Sequence, residues 1–207
     1  MTDPSTAPGR TRTRLRAVAV YCGSSPGARE SFAEGAAALG RALARRDIRL
    51  VYGGGRVGLM GVIADTVLAE GGEVHGVITR ALMDREVGHG GLTRLDVVET
   101  MHDRKALMAD LVDGFVMLPG GFGTLDEFFE ALTWTQLGIH TKPCGIVDVD
   151  GYFAPLIQFM DRAVAQRFVA QAHRDMVVTA ADADQVLDLL AAWQPPDTSK
   201  WLDRSER

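Results

Sequence analysis

Residues 116–130 read VMLPGGFGTLDEFFE, and three glycines in four positions stand there just before Thr124 and Glu127. Pro119 ends an apolar run, and Gly120, Gly121 and Gly123 permit a compact turn. Thr124 is expected at the N-cap of a helix over 124–137. Free N–H groups and the positive end of the helix dipole at such a start favour an anion such as phosphate. No Gly-Lys-Ser/Thr follows, so a triphosphate P-loop with Mg²⁺ is disfavoured and a monophosphate is the simpler ligand. Glu127, three residues past Thr124, admits two readings. It completes a T-x-x-E capping box, or it is a carboxylate set beside a sugar whose phosphate the turn holds.

A second constellation is ETMHDRKALMADL, residues 99–111, where Met101, Lys105 and Met108 mark a helix over 101–112 beginning near His102 or Asp103. Arg104 and Lys105 are then expected in its first turn, where the helix dipole disfavours a cation by about 0.3–1 kcal/mol. The two cations are either solvated or matched to an anion. YGGGRVGLMG places Gly53, Gly55 and Gly58 in a formal GxGxxG, but after the second strand, and Glu73 begins the next strand where a dinucleotide site needs an acidic residue at its end. NAD and FAD are discounted, and a purely structural tight turn stays open. CGSS, residues 22–25, offers Ser24 to a phosphate or sugar, or simply forms a helix-entry turn. The five histidines show no HxxxH or Cys/His ligand spacing, so neither metal nor organic cofactor is expected.

These residues need a scaffold, and the chain alternates strands and helices. Strand-like runs lie at 17–22, 48–53, 73–79, 94–100, 114–119, 143–149 and 175–179. Helical patterns lie at 29–47, 58–71, 101–112, 124–137, 152–168 and 182–193. The alternation implies right-handed βαβ crossovers, hence a single-domain, Rossmann-like, doubly wound parallel sheet with helices on both faces. Ligands of such sheets bind where strands lead into helices at their carboxyl ends. The 207 residues fit one domain over 16–194, with a flexible tail at 1–15 and a polar one at 195–207. A net charge of −5 argues against a bulk electrostatic grip on nucleic acid. Cys22 and Cys144 lie in apolar runs and read as buried thiols. With no apolar run of about 18 residues and no signal-peptide core, a cytosolic protein away from membranes is expected.

CGSS, VYGGGRVGLMG, ETMHDRK, PGGFGTLDE and TWTQLGIHTKP, in this order from about Val18 to Trp193, resemble the LOG (Lonely Guy) family of cytokinin riboside 5′-monophosphate phosphoribohydrolases, once labelled lysine decarboxylases. The resemblance implies catalytic roles for Arg104 and Glu127, both expected to be exposed to a cleft. It implies substrate contacts from Ser24, Gly54, Gly55, Met60, Glu86, Lys105 and Thr133, and from Gly120, Gly121, Phe122, Gly123, Thr124, Leu125 and Asp126. GHGGLT, residues 88–93, departs from the family pattern and bears on base specificity. The implied substrate is a nucleoside 5′-monophosphate, N6-modified adenosine in particular. A general AMP nucleosidase, or a non-catalytic nucleotide or molybdopterin carrier, are alternatives. The 124–137 helix carries Leu125, Phe128, Phe129, Leu132, Trp134 and Leu137 around much of its circumference, which together with the resemblance implies a homodimer or a larger assembly of dimers.

Overall fold

The computed structural model describes residues 14–84 and 88–196. Glu86 and nearly all of both tails lie outside these residues. Leu15, assigned by composition to the first tail, is buried in the core. Seven strands run along the chain as β1 (Ala17–Tyr21), β2 (Arg49–Tyr52), β3 (Val74–Thr79), β4 (Arg94–Val98), β5 (Gly114–Met117), β6 (Cys144–Val147) and β7 (Val177–Ala180). The helices are α1 (Glu30–Arg45), α2 (Gly58–Ala69), α3 (Arg80–Met83), α4 (Met101–Asp110), α5 (Phe122–Gln136), α6 (Ala154–Ala165), α7 (Gln171–Arg174) and α8 (Ala183–Ala192). The short α3 and α7 lie in stretches with too few residues to show a helical period. α6 starts later than its pattern suggests, because a 3-10 turn over Val149–Gly151 comes first.

The sheet order is β4-β3-β2-β1-β5-β6-β7, with every neighbour parallel. This is the doubly wound architecture read from the sequence. β1 is buried on both faces, as a central parallel strand must be. Val18 and Val20 join one core with Phe32, Leu39 and Leu43 of α1, Ile63 of α2 and Leu187 of α8. Ala17, Ala19 and Tyr21 join the other with Met108 of α4, Phe128 of α5 and Met160 of α6. The alternation along one strand therefore assigns the helices to opposite faces. The Asp113 carboxylate pins the start of β1 beside β5 by accepting from the Arg16 and Ala17 N–H groups at 2.7 and 3.1 Å. The chain progresses outward from β1 to β4 on one side and from β5 to β7 on the other, so β1 and β5 flank the switch point.

Beyond α5 the chain turns back into β6 through His140, whose ring stacks on Phe115 at 5.2 Å and meets Trp134 edge-on at 6.3 Å. Its Nδ1 accepts from the Lys142 N–H at 3.3 Å. Burial, then the Lys142 charge, lowers the imidazole to about 4 from its ordinary value near 6.5. Between those values the unfolded chain binds the proton that the fold resists, so stability falls as pH drops through this window and the contribution is gone below about 4. Urea unfolding from pH 7 to pH 4 is expected to show that loss, with a shallower slope for His140→Gln. Equal slopes for the two proteins would remove the effect from His140.

Candidate active site

Three turns meet at the carboxyl edge of the switch point, and backbone bonds lock them together. The Gly23 N–H after β1 donates to Pro119 O after β5 at 3.0 Å, and Gly23 O accepts from Leu59 N–H at the start of α2, also at 3.0 Å. Gly58 has φ +58°, and a Cβ there would overlap the backbone of Ser24 and Ser25. A Cβ on Gly120 would overlap the Thr124 side chain. The glycines thus allow backbone to approach backbone.

α5 begins two residues earlier than the sequence suggests. Gly121, not Thr124, is its N-cap, with φ −101° and ψ −153°, and no side chain caps the helix. Thr124 is 4% exposed and packs on Gly120. The capping box therefore does not form, and Glu127 lies a full turn inside the helix. The leading N–H groups of α5 lack intrahelical acceptors, and no side chain caps them.

Glu127 instead meets Arg104. The Arg104 Nη1 bonds Glu127 Oε1 and lies 3.4 Å from Met101 Sδ, while Nε donates to Val77 O at 2.9 Å. The side chains are only 7% and 15% exposed. The expectation that both stand exposed is thus corrected for Arg104, which is buried although it lines the cleft. A Cβ at Gly53 would collide with Arg104 Nη2, so this glycine makes room for the arginine. The sequence pattern shows Gly53 only as part of a turn, because its steric partner lies far along the chain. Tyr21 and Cys22 are pushed well above their ordinary ranges, first by burial and then by the Glu127 carboxylate. That charge accordingly sits close to the end of β1.

The α4 start also differs from expectation. Thr100 is the N-cap, its hydroxyl accepting from Asp103 N–H at 3.0 Å, so Arg104 and Lys105 are the fourth and fifth helical residues, past the first turn. Neither is a solvated surface cation. Lys105 lies 3.3 Å from Asp126 and 3.0 Å from Glu130, with its side chain 14% exposed. Burial alone would lower its ammonium, but the bonds to Glu130 and Asp126 outweigh this and raise it.

A cleft of about 330 Å³ gathers Ser24, Met60, Arg104, Gly121, Phe122, Gly123, Thr124 and Glu127, with Leu82, Met101 and Gly53. The sequence gives no sign of Leu82 and Met101 as contacts, since isolated apolar residues carry no chemical signal. Several expected contacts do not line this cleft. Gly120 faces the adjoining cavity. Lys105 and Asp126 pair with each other, and half-buried Leu125 packs against the core. Thr133 bonds back to Phe129 O at 2.7 Å on the exposed side of α5. Gly54 has φ +76° and accepts from His89 N–H at 3.1 Å, and Gly55 bridges Gly88, so these two hold the 88–91 loop. The structural reading of this turn fits them. His89 is anchored in turn by Nε2 to Asp65 Oδ1 at 2.8 Å. Among the described residues no cluster of three or more His, Cys, Asp or Glu is placed to hold a metal ion, and no helix is long and apolar enough to cross a membrane.

A parallel sheet that gathers an open helix start and a carboxylate–guanidinium pair at its switch point defines a Rossmann-like protein with a candidate ligand cleft at the carboxyl ends of its strands. The sequence model of the family described as "possible lysine decarboxylase" matches residues 60–190, more than half of the chain. A cytokinin riboside 5′-monophosphate phosphoribohydrolase of Rhodococcoides fascians is 45% identical over 181 residues, covering 87% of this chain and 91% of that one. One from Arabidopsis thaliana is 44% identical over 185 residues, covering 89% and 87%. The chain belongs to this family, the LOG phosphoribohydrolases. Among solved structures, a molybdenum cofactor binding protein from Rippkaea orientalis aligns with a TM-score of 0.63 at 19% identity, covering 85% of this chain and 95% of that one. At that identity the likeness speaks for the fold alone.

Glu127→Ala leaves the buried Arg104 without its counter-charge and is expected to destabilise the fold by ~3–5 kcal/mol. A glutamate serving only to cap a helix would cost ~0.5–2 kcal/mol. Urea denaturation separates the two, and a loss at the lower figure would mean that Arg104 does not depend on Glu127.

Proposed function

We propose that the chain hydrolyses the N-glycosidic bond of nucleoside 5′-monophosphates, with N6-modified adenines as the preferred bases, and releases the free base and ribose 5-phosphate. The carrying observation is that one cleft joins the uncapped start of α5 to the buried Arg104–Glu127 pair. Binding the 5′-phosphate at the helix start would extend the ribose toward Glu127, so that remote binding energy positions the reacting carbon. As the C1′–N bond breaks, its electron pair leaves with the purine, which takes up a proton. The cation developing at C1′ is faced by the Glu127 carboxylate. Water adds to C1′ and passes its proton to that carboxylate, which releases it to solvent, balancing the proton that the departing purine takes from solvent. Arg104 orients Glu127 through Nη1, with its Nε bonded to Val77 O, and the absence of a Cβ at Gly53 leaves room for its Nη2.

Pyridoxal phosphate does not fit this site. Its chemistry starts from a lysine Schiff base. Among the described residues no lysine lines the cleft: Lys105 is taken up by Asp126 and Glu130, and Lys142 donates to Ala109 O at 2.5 Å.

The working assembly is a homodimer contacting through α5 and the turn after it. Leu137 and Ile139 are 50% and 64% exposed there. Phe128, in contrast, is fully buried within its own subunit and belongs to the core. Trp134 and Ile139 border a cavity with His102 and His140 on the same side of the molecule.

Incubation with AMP, isopentenyladenosine 5′-monophosphate and the two nucleosides, followed by chromatography of the free bases, tests the reaction. The monophosphates are expected to exceed the nucleosides by about 100-fold or more in kcat/KM, the equivalent of one or two charge-assisted hydrogen bonds. Glu127→Gln, which keeps volume and a hydrogen bond, is expected to lower kcat by ~10²–10⁴. Comparable turnover of adenosine and AMP removes the phosphate argument, and binding without turnover supports a carrier instead. Ile139→Asp is expected to lower both assembly and activity, whereas a wild-type protein sedimenting as an active monomer at micromolar concentration overturns the dimer.

A further inference from the structure

We propose that Tyr152 is a positioning residue for the phosphate end of the cleft, acting through the Gly120 carbonyl; this rests on the hydrolase reading above. Tyr152 reaches the glycine turn from the junction between β6 and α6, and its hydroxyl donates to Gly120 O at 2.7 Å. The ring is seated edge-on against Phe32 at 5.4 Å and Phe153 at 4.9 Å. The segment that carries it is itself tied down. The Asp148 carboxylate accepts from Phe153 N–H at 2.7 Å, and Asp150 bonds Ser31 and lies 3.8 Å from Arg29 at the entry to α1. Asp150 takes φ 53°, a left-handed conformation uncommon outside glycine, followed by Gly151 at φ 68°. An ordered, locally unfavourable turn thus delivers one hydroxyl to one carbonyl.

The effect of that bond follows from the peptide plane. In a trans peptide the carbonyl of Gly120 and the N–H of Gly121 point in opposite directions. Gly120 and Gly121 border the cavity of about 310 Å³ that contains Tyr152, while Gly121 to Thr124 line the cleft of Arg104 and Glu127. A Gly120 carbonyl held toward Tyr152 therefore turns the N–H of Gly121, the N-cap of α5, toward the side where the phosphate binds. Two consecutive glycines impose little steric barrier to rotation of the peptide between them. The tyrosine hydroxyl supplies the restraint that their side chains cannot.

Tyr152→Phe removes the hydroxyl and keeps the ring packing. It is expected to raise KM for AMP about three- to tenfold, in line with one lost hydrogen bond, with kcat within about twofold of wild type. Inhibition by ribose 5-phosphate and by inorganic phosphate should weaken by the same factor. Inhibition by free adenine, which carries no phosphate, should not change. A hydroxyl with only a structural role would lower the melting temperature or the active fraction and leave KM and the phosphate inhibition constants as they are; that result overturns the proposal. Should wild-type protein hydrolyse no nucleotide, calorimetric titration with ribose 5-phosphate still decides. Weaker binding by Tyr152→Phe supports the tether while the hydrolase reading falls. Equal binding by both proteins overturns the tether, and binding by neither overturns both.

Discussion

The site depends on one buried charge pair. Arg104 and Glu127 come from the neighbouring helices α4 and α5, and each is the other's compensation for burial. The guanidinium is also bonded to the β3 carbonyl of Val77, which ties the pair to the sheet. A pair held from two directions cannot drift toward a substrate. Under the proposed function the substrate is brought to it, held by the glycine turns on either side of the switch point. Burial of the pair and openness of the α5 start are therefore two halves of one arrangement.

Backbone, more than side chain, builds the rest of the site. Gly23 is bonded at its N–H to the β5 turn and at its carbonyl to α2, so three separate connections form one unit. Side chains intrude only where a contact is specific: Thr124 against Gly120, Arg104 beneath Gly53, Tyr152 on Gly120. A site of this kind tolerates little drift in its turns, because moving one carbonyl moves the donor or acceptor of the next.

The fold was legible because each element carries a strong local signal. β1 is an unbroken apolar run, and α1 repeats Phe32, Ala36, Leu39 and Leu43 at helical spacing. The turn at PGGFGT was legible because glycine restriction is local too. What escaped was long-range. Thr124 looks like a cap in sequence, but Gly120 packs against its side chain and the helix starts at Phe122 instead. Arg104 and Lys105 look exposed, but α5 supplies their anions from more than twenty residues away. Phe128 and Trp134 are both large apolar residues of α5, yet one is core and the other borders a surface cavity. Contacts between elements decided each case, and no single window of sequence contains them.

The parallel order of β1 beside β5 also bears on how the site comes into being. Asp113 anchors the start of β1 across 97 positions of chain, and the Gly23–Pro119 bond closes a loop of similar size at the other end of the same strand pair. Closing so long a loop costs more chain entropy than any pairing between consecutive strands on the β1–β4 side. Local helices and the β1–β2–β3 pairings can form on the ribosome while α5 is still unmade, but the floor of the cleft cannot. Until β5 arrives, Gly23 has its α2 partner but no acceptor for its N–H, and β1 keeps an open sheet edge beside the future cleft that must be kept from pairing with other chains.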